Sequence, residues 1–307
     1  MTELYEYWRG SVEAGDCDAM GHMSVGNWLR RYWSGTAVLA AQIGLPLAFA
    51  PNTRSTLAIK SIHMHWLKEA HAGAPLFLRG GVCAFGDTEL GFYGEFVKTE
   101  TDEIAATFTA NIEHINADSF IRTNWPRNIK APQTKVTIPK YGLPRSINMQ
   151  TQIEQREKSW VTERGFIRVG LGNVTLHDVD CFGRLNVNQF ISRVGEAIPN
   201  IMAKWRTETA NEAQEIGGTI GKIGGAALEN RTEIFSWPRI GDIIEVHSGL
   251  SELGDKTYNF EHWLLCGHTG KAFSMSKVTV IAFDLETRKA ISIPPNARDQ
   301  LQKMLIR

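Results

Sequence analysis

The period of the apolar positions changes along this chain in one order, and then changes again in the same order. Residues 5–12 alternate as a strand would, and a polar segment with Gly15 and Gly21 follows. Next, Trp28, Leu29, Tyr32, Trp33, Ala40 and Ile43 recur at helical spacing, which predicts an amphipathic helix stopped by Gly44 and Pro46. Residues 56–66, 75–83, 90–99 and 104–115 are then β-type runs separated by turn residues. Later in the chain Phe190, Ile191, Val194, Ala197 and Ile198 predict a counterpart helix with Pro199 close to its end. Residues 243–248, 257–266 and 271–283 follow it as strands. One helix followed by several long antiparallel strands is an α+β pattern, in which the sheet buries one face against the helix. Residues 127–158 contain Pro132, Pro139 and Pro144 and little periodicity, so they read as a linker between a first domain, 1–126, and a second, 159–307.

The recurrence is also visible residue by residue. Residues 12–31 align with 174–193 at a shift of 162, pairing Val12/Val174, Asp16/Asp178, Asp18/Asp180, Gly21/Gly183, Val25/Val187 and Arg31/Arg193. Residues 73–126 align with 241–294 at a shift of 168, pairing Gly73/Gly241, Gly81/Gly249, Gly86/Gly254, Asp87/Asp255, Phe92/Phe260 and Pro126/Pro294. Glycines and prolines fix backbone geometry, so their recurrence weighs more than its number. The change of shift by six places an insertion in the region 211–225, where a loop is expected.

Composition narrows the function classes. In 307 residues, 33 Lys and Arg balance 33 Asp and Glu, which excludes a broad nucleic-acid footprint. No run of about 18 apolar residues predicts a membrane span, and the first residues do not read as a signal peptide. The cysteines Cys17, Cys83, Cys181 and Cys266 are far apart and form neither a metal motif nor a disulfide framework, so a cytoplasmic protein is expected.

The most specific segment is Gly15-Asp16-Cys17-Asp18-Ala19-Met20-Gly21-His22-Met23, between the first strand and the long helix. A helix amino terminus offers unpaired N–H groups and a partial positive charge, which polarise a carbonyl. A carboxylate beside it can attack that carbonyl or activate water to do so. The alternative is helix capping, for which Asp is well suited. Duplication of two acids and a glycine in fixed register favours the chemical reading, because one cap does not need all three.

This segment and its second copy, Asp178-Val179-Asp180-Cys181-Phe182-Gly183-Arg184-Leu185-Asn186, resemble the signature of hotdog-fold acyl-CoA thioesterases of the 4-hydroxybenzoyl-CoA type. Arg239-Ile240-Gly241-Asp242 and Gly254-Asp255-Lys256-Thr257 are similar to that family's Gly-Asp turn and strand start. The resemblance implies two tandem hotdog domains, each a long helix wrapped by an antiparallel sheet, forming an intramolecular pseudo-dimer. It also implies hydrolysis of an acyl-CoA without metal or other cofactor, and further association into a homo-oligomer. Carried over, the catalytic carboxylates are Asp18 and Asp180, assisted by His22, Asn186 and Glu196. Backbone amides at Gly21, His22, Gly183 and Arg184 would polarise the thioester. Lys256, at a strand start, reads equally as a cation for a coenzyme A phosphate or as a solvated turn lysine. Ser24 stands where Asn is usual, Arg184 where His is usual, and Ser34 where the second half has Glu196, so the two sites are expected to be inequivalent.

Two rivals remain on the sequence alone. A hotdog hydratase or dehydratase needs a His paired with an acid in another arrangement, which the sequence does not display. A non-catalytic acyl-thioester-binding scaffold would account for the departures, though not for both acids. Other residues are open to bland readings: His63 and His65 share a strand face but lack a third metal ligand, and His177 could assist Asp180. Cys17 and Cys181 lack an activating partner. The Gly-rich residues 217–225 read as a flexible loop rather than a phosphate loop. Trp28 and Trp33 fit either core or acyl pocket.

Overall fold

The computed structural model describes residues 4–18, 20–149, 152–201, 223–284 and 286–307. In the first half, β1 (Tyr5–Ser11) leads through a short 3-10 turn to helix α1 (Val25–Gln42) and then to β2 (Ser55–Trp66), β3 (Pro75–Phe85), β4 (Glu89–Lys98) and β5 (Ile104–Asn116). The second half repeats this with β6 (Ile167–Asn173), α3 (described as helical over 189–201), β7 (Ile223–Ile234), β8 (Ile243–Leu253), β9 (Thr257–Cys266) and β10 (Ala272–Asp284). Short helices α2 (Lys158–Glu163) and α4 (Pro295–Lys303) flank the second half. Among the described residues the strands form one ten-stranded sheet in the order β1-β3-β4-β5-β2-β7-β10-β9-β8-β6. Every neighbouring pair is antiparallel, and the order reads as one five-strand half followed by its mirror image, joined where β2 meets β7. This is the double hotdog pseudo-dimer that the repeat implied.

Each helix packs on one face of its half of the sheet. From α1, Trp28, Leu29, Tyr32, Leu39 and Ala40 are buried, as the helical spacing predicted. Tyr32 stacks between Phe92 and Phe108 at 5.0 and 5.2 Å between ring centres and donates its hydroxyl to the carbonyl of Phe92 at 2.7 Å. Trp28 meets Phe96 edge-on at 5.1 Å, so its role is core, while the half-buried Trp33 packs on Phe49. Burying each such ring stabilises the fold by roughly 1.5–3 kcal/mol. One hydrophobic cluster runs through both halves, and the helices approach closely where Gly26 of α1 faces Ser192 and Asn188.

The strand β7 is a finding beyond the sequence reading. Its residues Glu229, Asn230, Arg231 and Thr232 are buried at the seam, yet as a polar run they carry no hydrophobic periodicity. Of the Gly-rich run, residues 217–222 lie outside the described residues, but Gly224 and Gly225 are strand, paired with Phe283 and Ala282. A Cβ at Gly225 would sit 2.5 Å from the Tyr258 hydroxyl, so close approach rather than flexibility explains that glycine. The shift of 168 already relates β2 to β7, so the insertion precedes Ile223.

Candidate active site

The loop between β1 and α1 is a closed turn. Cys17 pairs with Met23 as an isolated bridge, the Asp18 amide donates to the carbonyl of His22 at 2.9 Å, and the Gly21 amide donates to the carbonyl of Asp18 at 3.0 Å. Gly21, at φ 80°, takes the left-handed conformation that glycine adopts at no steric cost. The second loop reproduces this turn: Val179 pairs with Leu185, the Gly183 amide donates to Asp180 at 3.0 Å, and Gly183 lies at φ 73°. These amides close the turn, as does that of Arg184, which donates to the Asp180 carboxylate at 3.3 Å. The expectation that Gly21, Gly183 and Arg184 present amides to a ligand is therefore corrected. Helix α1 itself begins only at Val25, behind its cap Ser24, and the helix start is not at Gly21-His22.

The two acids of each motif have separate roles. Asp16 is buried, accepts from the Glu13 amide at 3.1 Å, and receives Arg30 and Arg31 at 2.7 and 2.6 Å. Burial pushes its carboxyl up, but the Glu13 amide and the two guanidiniums outweigh that and hold it below the usual range. Asp178 is its counterpart, held by the amide and hydroxyl of Thr175 and by Arg193 at 3.1 Å. Both close a 3-10 turn, so capping accounts for the first acid. Asp18 and Asp180 cap neither helix.

Around Asp18 the groups are titratable and partly exposed. One carboxylate oxygen accepts from the Met20 amide at 2.8 Å, and the other lies 3.1 Å from His22 Nδ1. This is a His–acid pair, which sequence reasoning did not find as such. His22 Nε2 is 3.8 Å from Glu69, whose other oxygen is 3.7 Å from His71. His71 also holds the carbonyl of Gly21 through Nδ1 at 3.0 Å. Arg288 crosses from the turn after β10, in the second half, to bond Glu69. Burial raises the Glu69 carboxyl, but Arg288, His22 and His71 together bring it below its ordinary value.

Around Asp180 the same places are filled by guanidinium groups and aromatic rings. Arg184 is 1% exposed and binds Asp180 at 2.5 Å, and its Nη2 donates to the carbonyl of Leu57, in the first half, at 2.8 Å. Its guanidinium lies over Trp237 at 4.8 Å and Phe120 at 5.8 Å, while Arg239 covers Phe120 at 4.5 Å. At the shift of 168, Glu69 corresponds to Trp237, His71 to Arg239 and Phe120 to Arg288. Phe120 and Arg288 share a positive φ of 58° and 55°. One site is thus an acid–imidazole–acid–guanidinium chain, and the other is an ion pair between the half-buried Asp180 and the buried Arg184, whose guanidinium is packed in aromatic rings.

The remaining sequence candidates lie apart. Asn186 is half-buried and precedes α3, where Ser24 stands in the first half, and its amide donates to the carbonyl of Asp178 at 2.7 Å. Glu196 is exposed on α3 and meets no site group among the described residues. Lys256 is exposed in the β8–β9 turn, away from both acids' contacts. His177 is exposed beside Asp178 rather than Asp180. Burial and the neighbouring Asp180 push the Cys181 thiol up, against a thiolate role. Among the described residues no group of three or more His, Cys, Asp or Glu is placed to hold a metal ion, and no helix is long and apolar enough to cross a membrane.

The profile of the thioesterase-like superfamily matches residues 12–138 and again residues 174–301. The chain belongs to that superfamily. Its chemistry is therefore hydrolysis of a thioester. No curated protein matches the chain in sequence. Solved structures of similar fold include one described as an oleoyl thioesterase from Lactobacillus plantarum, at TM-score 0.67 and 9% identity, covering 92% of this chain and 97% of that one. An acyl-ACP thioesterase from Bacteroides thetaiotaomicron aligns at TM-score 0.62 and 11% identity over 90% and 97% of the two chains. The 12:0-ACP thioesterase from Umbellularia californica aligns at 0.63 and 9%, over 91% and 94%. Their identities make these likenesses of fold, and the two-halved superfamily match carries the assignment.

Proposed function

We propose that the first-half site hydrolyses an acyl-coenzyme A to the free acid and the thiol, with Asp18 as general base. The observation that carries this is the contrast between the two acids. Asp18 is partly exposed beside an imidazole, whereas Asp180 is neutralised by a buried guanidinium. Both oxygens of Asp18 already meet donors, which blunts a carboxylate as a nucleophile but leaves it able to take a proton from water. Water then adds to the thioester carbonyl, the tetrahedral intermediate expels the thiolate, and the proton held at Asp18 and His22 returns to the sulfur. His71 and Arg288 at the rim favour the negative charge that develops. The four cysteines are unpaired, which fits the reducing cytoplasm in which we set this reaction.

The test measures thiol release from a panel of acyl-CoA esters and from an acyl carrier-protein thioester, with hydration of an enoyl-CoA as the competing reaction. Hydrolysis of acyl-CoA without enoyl hydration supports the reading, and thioester binding without turnover contradicts it. Single turnover in oxygen-18 water separates the roles of Asp18: a base delivers label to the product acid and none to the protein.

A further inference from the structure

The outer face of the sheet, opposite the helices, is covered differently in the two halves. Over the second half, Val161 of α2 and Phe166 close an apolar plug with Trp263, Leu265, Ala272 and Met275. Over the first half, the connecting segment crosses as a strap. Its Val136 amide donates to Val82 at 2.9 Å, the Tyr141 hydroxyl to Glu95 at 2.6 Å, and the Arg145 and Ser146 amides to Glu229 at 3.0 and 2.8 Å. Between these anchors lies a cavity of about 590 Å³, within the range of small-molecule sites.

Its roof and floor differ in kind. The strap contributes the apolar Ile138, Leu143, Pro144 and Met149, and the two charged residues of the lining, Lys135 and Glu89, are of opposite sign. Glu89 already lies 3.5 Å from Arg122 and accepts from Asn111 at 3.4 Å. A carboxylate head group is repelled by Glu89 and an ammonium by Lys135, which favours a neutral one. On the floor the Thr109 hydroxyl is buried without a partner among the described residues, and His63 stands opposite it in the β2–β5 register. His63 Nε2 meets Glu229 at 2.7 Å, and Glu229 also accepts from Ser146 and from two amides, so Nε2 is the donor of that bond. This leaves Nδ1, to which no hydrogen bond runs among the described residues. In the neutral ring Nδ1 accepts, and in the charged ring it donates. A hydroxyl group serves either state and serves Thr109 as well, because it offers one donor and two acceptor sites. At the shift of 168, His63 and Thr109 correspond to Arg231 and Lys277, which pair with Glu233 and Glu252 at 2.7 and 2.8 Å. The first half leaves these positions open under an apolar roof, where unbonded polar groups are costly.

We propose that this cavity binds a neutral aliphatic alcohol, its hydroxyl bonded to the Thr109 hydroxyl and His63 Nδ1 and its chain lying under Ile138, Leu143 and Met149. The site takes no residue from the surroundings of Asp18, so it stands or falls apart from the thioester chemistry. Isothermal titration calorimetry of the full chain with 1-octanol tests it. The expected result is saturable binding of one octanol per chain, with octanoate, the same chain bearing a charged head, at least tenfold weaker. Affinity for octanol falls at least tenfold in Ala84→Trp, which fills the cavity from an exposed position. It falls severalfold in Thr109→Val, which keeps the shape of the side chain and removes the hydroxyl, and it is unchanged in Asp18→Asn. Absence of saturable binding, octanoate binding as tightly as octanol, or undiminished affinity in Ala84→Trp or Thr109→Val would overturn the assignment. Loss of binding in Asp18→Asn would overturn it too, by placing the alcohol in the thioester site.

Discussion

At the scale of single residues, the divergent positions of the repeat matter more than the shared ones. Alignment by identity recovered Asp16/Asp178, Asp18/Asp180, Gly21/Gly183 and Arg31/Arg193, and the structure shows that most of these build the turn. Glu69, His71 and Arg288 stayed invisible because their counterparts are Trp237, Arg239 and Phe120, and a search for sameness discards such pairs. The only available signal was a charged or imidazole side chain facing an aromatic or guanidinium one at a constant shift of 168. Arg288 acts through Glu69 and is a positioning residue. Arg288 and Glu69 are each more than a third exposed, so their ion pair contributes about 0.2–1 kcal/mol, and Arg288→Ala is expected to lower kcat by up to about fivefold. Steady-state kinetics check this, with Tm unchanged and Arg288→Lys restoring part of the rate. An unaltered kcat in Arg288→Ala would remove the second half from the site.

At the scale of elements, the helices and most strands were legible because one face of each is apolar and the other is not. The strand β7 was not, since tertiary partners rather than periodicity satisfy its buried polar side chains: Thr232 bonds Asn230 and Ser276 at 2.8 Å, and Arg231 bonds the carbonyl of Asn148 at 2.7 Å. The amides of Gly21, Gly183 and Arg184 failed as carbonyl donors for a related reason, because the backbone closes on itself before the helix starts. Glu229 is the test of this seam. Burial pushes its carboxyl up, but His63, Ser146 and the amides of Arg145 and Ser146 prevail and bring it to about 2 from an ordinary 4.5. A carboxyl depressed by folding stabilises the protein fully above its ordinary value and loses that stabilisation as pH falls through the folded value. Glu229→Gln should therefore cost about 3 kcal/mol at neutral pH, and the difference from wild type should shrink between pH 4.5 and about 2. Urea unfolding at pH 7 and pH 3 measures both.

At the scale of the whole molecule, the repeat predicted a pseudo-dimer, and the sheet order confirms one. The repeat alone did not show that each acid is completed from the opposite half, by Arg288 on one side and by Leu57 and Phe120 on the other. Close packing of the halves is thus a condition of the site. At Gly26, where α1 meets Ser192, Gly26→Leu should destabilise the fold by roughly 1–3 kcal/mol through overpacking, measured as a lower Tm together with a lower kcat. The central claim is that one pseudo-symmetric site works and the other is neutralised by its own guanidinium. The most direct measurement compares kcat/KM for a single acyl-CoA in wild type, Asp18→Asn and Asp180→Asn. General-base removal costs on the order of 10²–10⁴-fold, so Asp18→Asn should fall by that factor while Asp180→Asn stays within about threefold of wild type. Equal losses in both variants, or full activity in Asp18→Asn, would contradict the account.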